Sequence, residues 1–170
     1  MRQIASLKTP YPSIESPLQG VGLGFRRDLA SAILEDEGAN APSFVELAPE
    51  NWMEIGGYWK KTLDQLIERY PICCHGLSLS LGSPEELDWN FLHRLKNFFR
   101  ETPVHIYSEH LSYNKCDNAH LYELLPIPFR EDAIKHIVAR IRQVQDFLER
   151  KIAIENVSYY TSVAAEMTEA

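Results

Sequence analysis

The sequence predicts an α/β fold in which parallel strands alternate with crossover helices. Three observations lead there. Short apolar runs and segments of helical period follow one another as β-α-β-α-β-α-β-α-β, the spacing that gives parallel strands. Three of the runs end in residues able to hold a metal: Ile72-Cys73-Cys74-His75-Gly76, Val104-His105-Ile106-Tyr107-Ser108-Glu109-His110 and Ile152-Ala153-Ile154-Glu155-Asn156. A buried strand gains nothing by ending in His, Glu or Asn, because each costs desolvation unless paired. Finally, 170 residues with 45% hydrophobic and 24% charged content suffice for one domain with a real core.

The elements can be justified in order. Residues 1–19 carry Pro10, Pro12 and Pro17 and read as an extended lead-in to a domain over 20–170. Gly20-Val21-Gly22-Leu23-Gly24 is a tight first strand. Residues 25–38 are helical, with Leu29, Ile33 and Leu34 on one face. Ser43-Phe44-Val45-Glu46-Leu47-Ala48 is the second strand, and Pro49-Glu50-Asn51-Trp52 its polar exit. Residues 57–70 form the next helix, with Leu63, Leu66 and Ile67 as its stripe and Pro71 as its stop. The third strand runs from Ile72 to about Leu77. Ser83-Pro84-Glu85-Glu86 reads as a helix start, with Ser as cap, Pro at the first position and acids in the first turn. Leu92, Leu95, Phe98 and Phe99 supply that helix with its apolar face. Strand four covers 104–109. The connection 111–128, with Asn114, Asn118, Pro126 and Pro128, is long enough to expect a functional loop or lid. Residues 130–149 are the longest helix, with Ile134, Ile137, Val138, Ile141, Val144 and Phe147 in its apolar stripe. Strand five is 151–156, and 157–170 reads as the opening of a further helix.

Composition excludes several classes of function. A net charge of -7 and a pI near 5.4 oppose nucleic-acid binding, which needs a basic face. No apolar run reaches the roughly 20 residues that span a membrane, and the N-terminus lacks the apolar core of a secretory signal, so a cytoplasmic location is expected. Cys73, Cys74 and Cys116 are an odd number without zinc-finger spacing, which implies no disulfide framework. Cys73 and Cys74 should point to opposite faces of a strand, as small buried residues. Gly20-Val21-Gly22-Leu23-Gly24 lacks the G-x-G-x-x-G spacing of a dinucleotide site.

In both open α/β sheets and (β/α)₈ barrels, ligands bind at the carboxyl ends of the strands. Alternation within each strand puts Cys73 with His75, Tyr107 with Glu109, and Ala153 with Glu155. His75, Glu109 and Glu155 are therefore expected to converge, a ligand set suited to Fe(II), Mn(II) or Zn(II). His110 and Asn156 stand at the rim and could turn inward, with Glu50 and Asn51 as weaker candidates. A lone strand histidine is more commonly a hydrogen-bonded structural residue than a ligand; His93, His105, His120 and His136 show no comparable pattern and are read as surface or core histidines. A closed barrel takes about 250 residues, so five strands correspond to the front part of one.

At these same residues the chain resembles a known family. The stretches are Gly20-Val21-Gly22-Leu23-Gly24, Glu50-Asn51, His75-Gly76-Leu77-Ser78-Leu79-Ser80-Leu81-Gly82-Ser83, Ser108-Glu109-His110-Leu111-Ser112, Leu124-Leu125-Pro126-Ile127-Pro128 and Glu155-Asn156-Val157-Ser158. In sequence, order and spacing they resemble the multinuclear non-haem iron-dependent oxidases, which include the methanobactin-biosynthesis oxidase. The resemblance implies a TIM-type (β/α)₈ barrel with two or three iron ions at its C-terminal mouth. It implies oxidation, with molecular oxygen, of cysteine in ribosomally made peptides, often with a small partner protein that presents the peptide. His75, Glu109 and Glu155 match motif positions that look like iron ligands, and His110 and Asn156 match the same motifs. Family members continue further and supply the last strands with more ligands, so the resemblance implies an N-terminal, truncated part of the barrel with part of the iron site.

Two other readings compete. One is a different metal enzyme on the same barrel type, such as a sugar isomerase or a phosphodiesterase. The other is an inactive half-barrel remnant that self-associates through an exposed strand edge.

Overall fold

The computed structural model describes residues 18–36, 38, 41–116 and 119–158. The expected lead-in up to residue 17 and the expected helix from 159 onward lie outside them. Six strands occur among the described residues: β1 (Gly22–Gly24), β2 (Phe44–Leu47), β3 (Ile72–Gly76), β4 (Val104–Cys116), β5 (Ala119–Pro126) and β6 (Ala153–Asn156). Between them lie α1 (Ala30–Glu35), α2 (Gly57–Arg69), α3 (Trp89–Glu101) and α4 (Glu131–Leu148). Strands β1-β2-β3-β4-β6 form one parallel sheet in that order, and β5 pairs antiparallel with β4. This is the expected β-α alternation with one hairpin added.

Helices cover one face of the sheet. Leu63 and Leu66 of α2 and Phe91, Leu92, Leu95 and Phe98 of α3 pack with Val45, Leu47, Ile72, Cys74 and Tyr107 in a single core. Phe99 of α3 meets Tyr107 edge-on at 5.0 Å. Cys73 and Cys74 are both buried free thiols on opposite faces, as strand alternation requires. Helix α4 departs from its expected stripe: Ile137 and Val144 are buried, whereas Ile134 and Val138 are exposed beside β6. Its apolar surface is wider than β4 and β6 cover.

Two expectations need correction. The segment 111–128 is largely a ribbon: β4 runs on to Cys116 and β5 returns antiparallel to Pro126. Alternation continues along it, with Ser112 and Asn114 buried and Tyr113 between them less so, and its prolines mark only the strand's end. Helix α3 begins at Trp89, not at Ser83. Asp88 is its cap, accepting from the Phe91 N–H at 2.9 Å. The Ser83 hydroxyl instead accepts from the Glu85 N–H at 3.1 Å, which closes a turn.

Candidate metal centre

Parallel register decides which side chains meet. His75 lies opposite Ser108, and His110 lies opposite Glu155. Directly paired residues share a face, so His75, Ser108, His110 and Glu155 all project from the face that no helix covers among the described residues. Their ligand atoms converge there. His75 Nε2 is 2.9 Å from Glu155 Oε2, and His110 Nε2 is 3.8 Å from the same oxygen. The two Nε2 atoms are 3.2 Å apart.

The other ring nitrogens are held in place. His110 Nδ1 lies 3.0 Å from the Gly76 carbonyl, which can only accept, so Nδ1 carries the proton. His75 Nδ1 lies 2.7 Å from Ser108 Oγ, whose own hydroxyl donates to the Cys74 carbonyl at 3.4 Å. Ser108 Oγ therefore accepts from His75 as well. Both imidazoles are held through Nδ1, and with their protons placed there the two Nε2 lone pairs face each other beside a carboxylate. Two lone pairs at 3.2 Å repel unless a cation lies between them. Ligands about 2.1 Å from one ion, at angles between octahedral and tetrahedral, stand about 3.0–3.4 Å apart. The separations of 2.9 and 3.2 Å match this spacing, the third at 3.8 Å is wider, and the donor set fits a metal ion in distorted geometry, with a backbone carbonyl and a hydroxyl orienting the histidines from behind. Glu155 is half-exposed, which leaves the outer side open to a ligand.

Glu109 does not join this group. It is opposite Gly76 and turns to the helix-covered face, where it is 1% exposed and accepts from the Tyr107 hydroxyl at 2.7 Å. Alternation within a strand could not reveal this, because it leaves the phase between strands free. Burial pushes the Glu109 carboxyl up to about 8. Gly76 makes room for it: a Cβ there would stand 2.0 Å from Glu109 Oε1 and 2.7 Å from the Tyr107 hydroxyl. Asn156, adjacent to Glu155, is likewise on the other face and lines an apolar groove beside α4. Glu50 serves the backbone, its Oε1 accepting from the N–H groups of Leu77 and Ser78 at 2.7 and 2.9 Å.

The glycine- and serine-rich stretch after His75 is a strapped-down loop. The Gly82 N–H donates to the Ser112 carbonyl at 2.7 Å, an approach so close that a Cβ would meet that oxygen at 2.9 Å. Buried Arg140 of α4 donates to the Ser80 and Glu85 carbonyls, and His136 bonds the Ser83 carbonyl at 2.8 Å. His136 was expected to be a surface or core histidine; Arg140 has no signal in the sequence beyond being a charge in an apolar stripe.

Fold and site together define an α/β protein with a His-His-carboxylate group at the carboxyl ends of parallel strands. Within that class the chain belongs to the family described as RiPP precursor modification enzyme MbnB/TglH/ChrH, which it matches over residues 20–170. Among its relatives are three curated proteins, each named only UPF0276 protein. One from Shewanella oneidensis is 51% identical over 150 residues, 88% of this chain and 53% of the relative. One from Haemophilus influenzae is 50% identical over 143 residues, 84% and 46% of the two chains. One from Acinetobacter baylyi is 50% identical over 153 residues, 90% and 52%. The chain thus spans about half the length of the curated relatives it matches. No helix among the described residues is long and apolar enough to cross a membrane.

Proposed function

We propose that this chain is the metal-binding front part of a TIM-type barrel that oxidises cysteine in a ribosomally made precursor peptide, with non-haem iron as the metal. The pair of opposed imidazole nitrogens beside Glu155 carries this reading. Two histidines and one carboxylate with open positions are a donor set suited to non-haem Fe(II). Membership of a family of precursor-peptide modification enzymes supports a precursor peptide as substrate, which a small partner protein would present. Iron held there would supply the redox chemistry and a coordination position for a substrate thiolate.

The chain's own residues would do the rest. His75 and His110 would present Nε2 as donors, their rings held through Ser108 and Gly76. Glu155 offsets the ion's charge and leaves its outer side open. Further ligands would come from the part of the relatives' length that this chain does not span.

Metal binding by the chain itself tests the proposal. Anaerobic Fe(II) titration, with Co(II) absorption as a second readout, should give one saturable site. His75→Ala or Glu155→Ala should weaken it at least about tenfold, as loss of a ligand does. The same affinity in native and His75→Ala protein would sink the assignment. Oxygen uptake with a cysteine-bearing precursor peptide is a separate test of the activity, made with the full-length relative beside this chain.

A further inference from the structure

A second pocket opens on the carboxyl-end side of the sheet, between the β4–β5 ribbon and the loop after β3. Glu50, Leu77, Ser78, Asn114, Glu123 and Leu124 line it. Two of its side chains grip Leu77 from opposite ends. Glu50 Oε1 accepts the Leu77 N–H at 2.7 Å, and Asn114 Nδ2 donates to the Leu77 carbonyl at 2.7 Å. The Asn114 N–H donates to Ser80 Oγ at 3.0 Å, so this residue is fixed at two points and only 3% exposed. Each of the two side chains keeps one buried oxygen without a partner, Glu50 Oε2 and Asn114 Oδ1. Such oxygens cost free energy until a donor reaches them.

The chemistry of the walls says which donor fits. Both orphan groups are acceptors, one is a carboxylate, and the exposed Glu123 adds a second acid at the rim. A hard divalent ion wants about six or more oxygens, and two protein oxygens fall well short. An ammonium or guanidinium needs only a few acceptors and an apolar surface for its stem. Leu77 and Leu124 provide that surface, at 43% and 36% exposure. Among the described residues β5 pairs only with β4, so its outer edge can receive an extended backbone.

We propose that this pocket binds the cationic side chain, lysine or arginine, of an extended peptide lying along the mouth of the sheet. The inference rests on the reading of the chain as a peptide-modifying enzyme, and it adds a specificity: a basic residue flanking the position to be modified.

Calorimetric or NMR titration of the metal-free 170-residue chain tests it. The probes are N-acetylated, amidated Gly-Arg-Gly, Gly-Lys-Gly and Gly-Glu-Gly, with magnesium chloride as a separate arm. At least one basic peptide should bind saturably and the acidic one should not. Glu50→Gln keeps the acceptor for Leu77 and Ser78 but removes the charge, and should weaken binding about tenfold. Glu123→Gln, at an exposed position, should weaken it about twofold and lessen its salt sensitivity. It carries the test should Glu50→Gln not fold by circular dichroism. His75→Ala should bind the peptide as the native chain does, which separates this pocket from the metal assignment. The proposal is overturned by any of three results: no saturable binding of either basic peptide, unchanged binding in both charge variants, or magnesium binding that depends on Glu50 while neither basic peptide binds.

Discussion

Glu109 shows how one residue's environment sets a property of the whole chain. Its carboxyl is driven from 4.5 to about 8 by burial, against the opposing hydrogen bond from Tyr107. The folded metal-free protein therefore keeps a proton that the unfolded chain releases. This contribution to stability is fully present below the unfolded value and declines as pH rises through neutrality. It levels off once the folded group also ionises, with a slope of at most ~1.4 kcal/mol per pH unit. Glu109→Gln retains an acceptor for the Tyr107 hydroxyl and has nothing to ionise. Urea unfolding from pH ~5 to ~8 should show a falling stability in the native chain and a flatter profile in the variant. Equal slopes would mean another group dominates. Gly76→Ala attacks the same pocket from across the sheet. Its methyl would displace the Glu109 carboxyl from Tyr107 and should cost about 1–3 kcal/mol, read from the same urea curves. At this scale His75 and Glu155 were legible in the sequence as strand-end polar groups. The choice of His110 over Glu109 was not, because it depends on the β3–β4 register, which places Ser108 opposite His75.

At the scale of elements, α3 is capped by Asp88, five residues after the Ser83 start read in the sequence. Asp88 accepts from the Phe91 N–H and pairs with Lys115 of β4 at 3.3 Å. The Phe91 N–H, with help from Lys115, lowers its pKa. Its contribution is thus present above the unfolded carboxylate range and lost only as pH falls through the folded value. Asp88→Ala removes the cap and should cost about 1 kcal/mol; Asp88→Asn keeps the cap, loses the ion pair and should cost less. Thermal unfolding ranks the two, and an equal loss would assign the effect to the ion pair. Ser83-Pro84 was the signal read in sequence. It is spent on a turn because the loop after β3 must return over β4, where Gly82 and Ser112 meet. The ribbon was hidden for a related reason. Asn and Pro over 111–128 mimic a loop, yet the pairing of Tyr113 with Leu125 and Ser112 with Pro126 extends β4 well past the sheet. Helix α2 and the short strands β2 and β3 were legible because their periodicity matches their burial.

The molecule as a whole divides into a well-packed face and an open one. Helices α2 and α3 seal one side of β2, β3 and β4, whereas β6 pairs only with β4 among the described residues. Beside it, Ile134 and Val138 of α4 and Ile154 of β6 line an apolar groove at 49%, 40% and 36% exposure. An apolar groove next to an unpaired strand edge lowers solubility, whatever the ordered parts contribute to stability. The candidate metal centre is separated from this liability by strand alternation. His75, His110 and Glu155 project from the face free of helices among the described residues, while Ile154 and Asn156, the immediate neighbours of Glu155, line the groove on the other. Changing the groove should therefore leave the metal untouched. The double variant Ile134→Lys with Val138→Lys places two charges on exposed turns of α4, where lysine is as good a helix former as the residues it replaces. It should raise the solubility limit of the chain and keep Co(II) affinity within about twofold, since sites without shared partners behave independently. A large fall in metal affinity with solubility unchanged would show instead that α4 packing sets the position of β6, and with it Glu155.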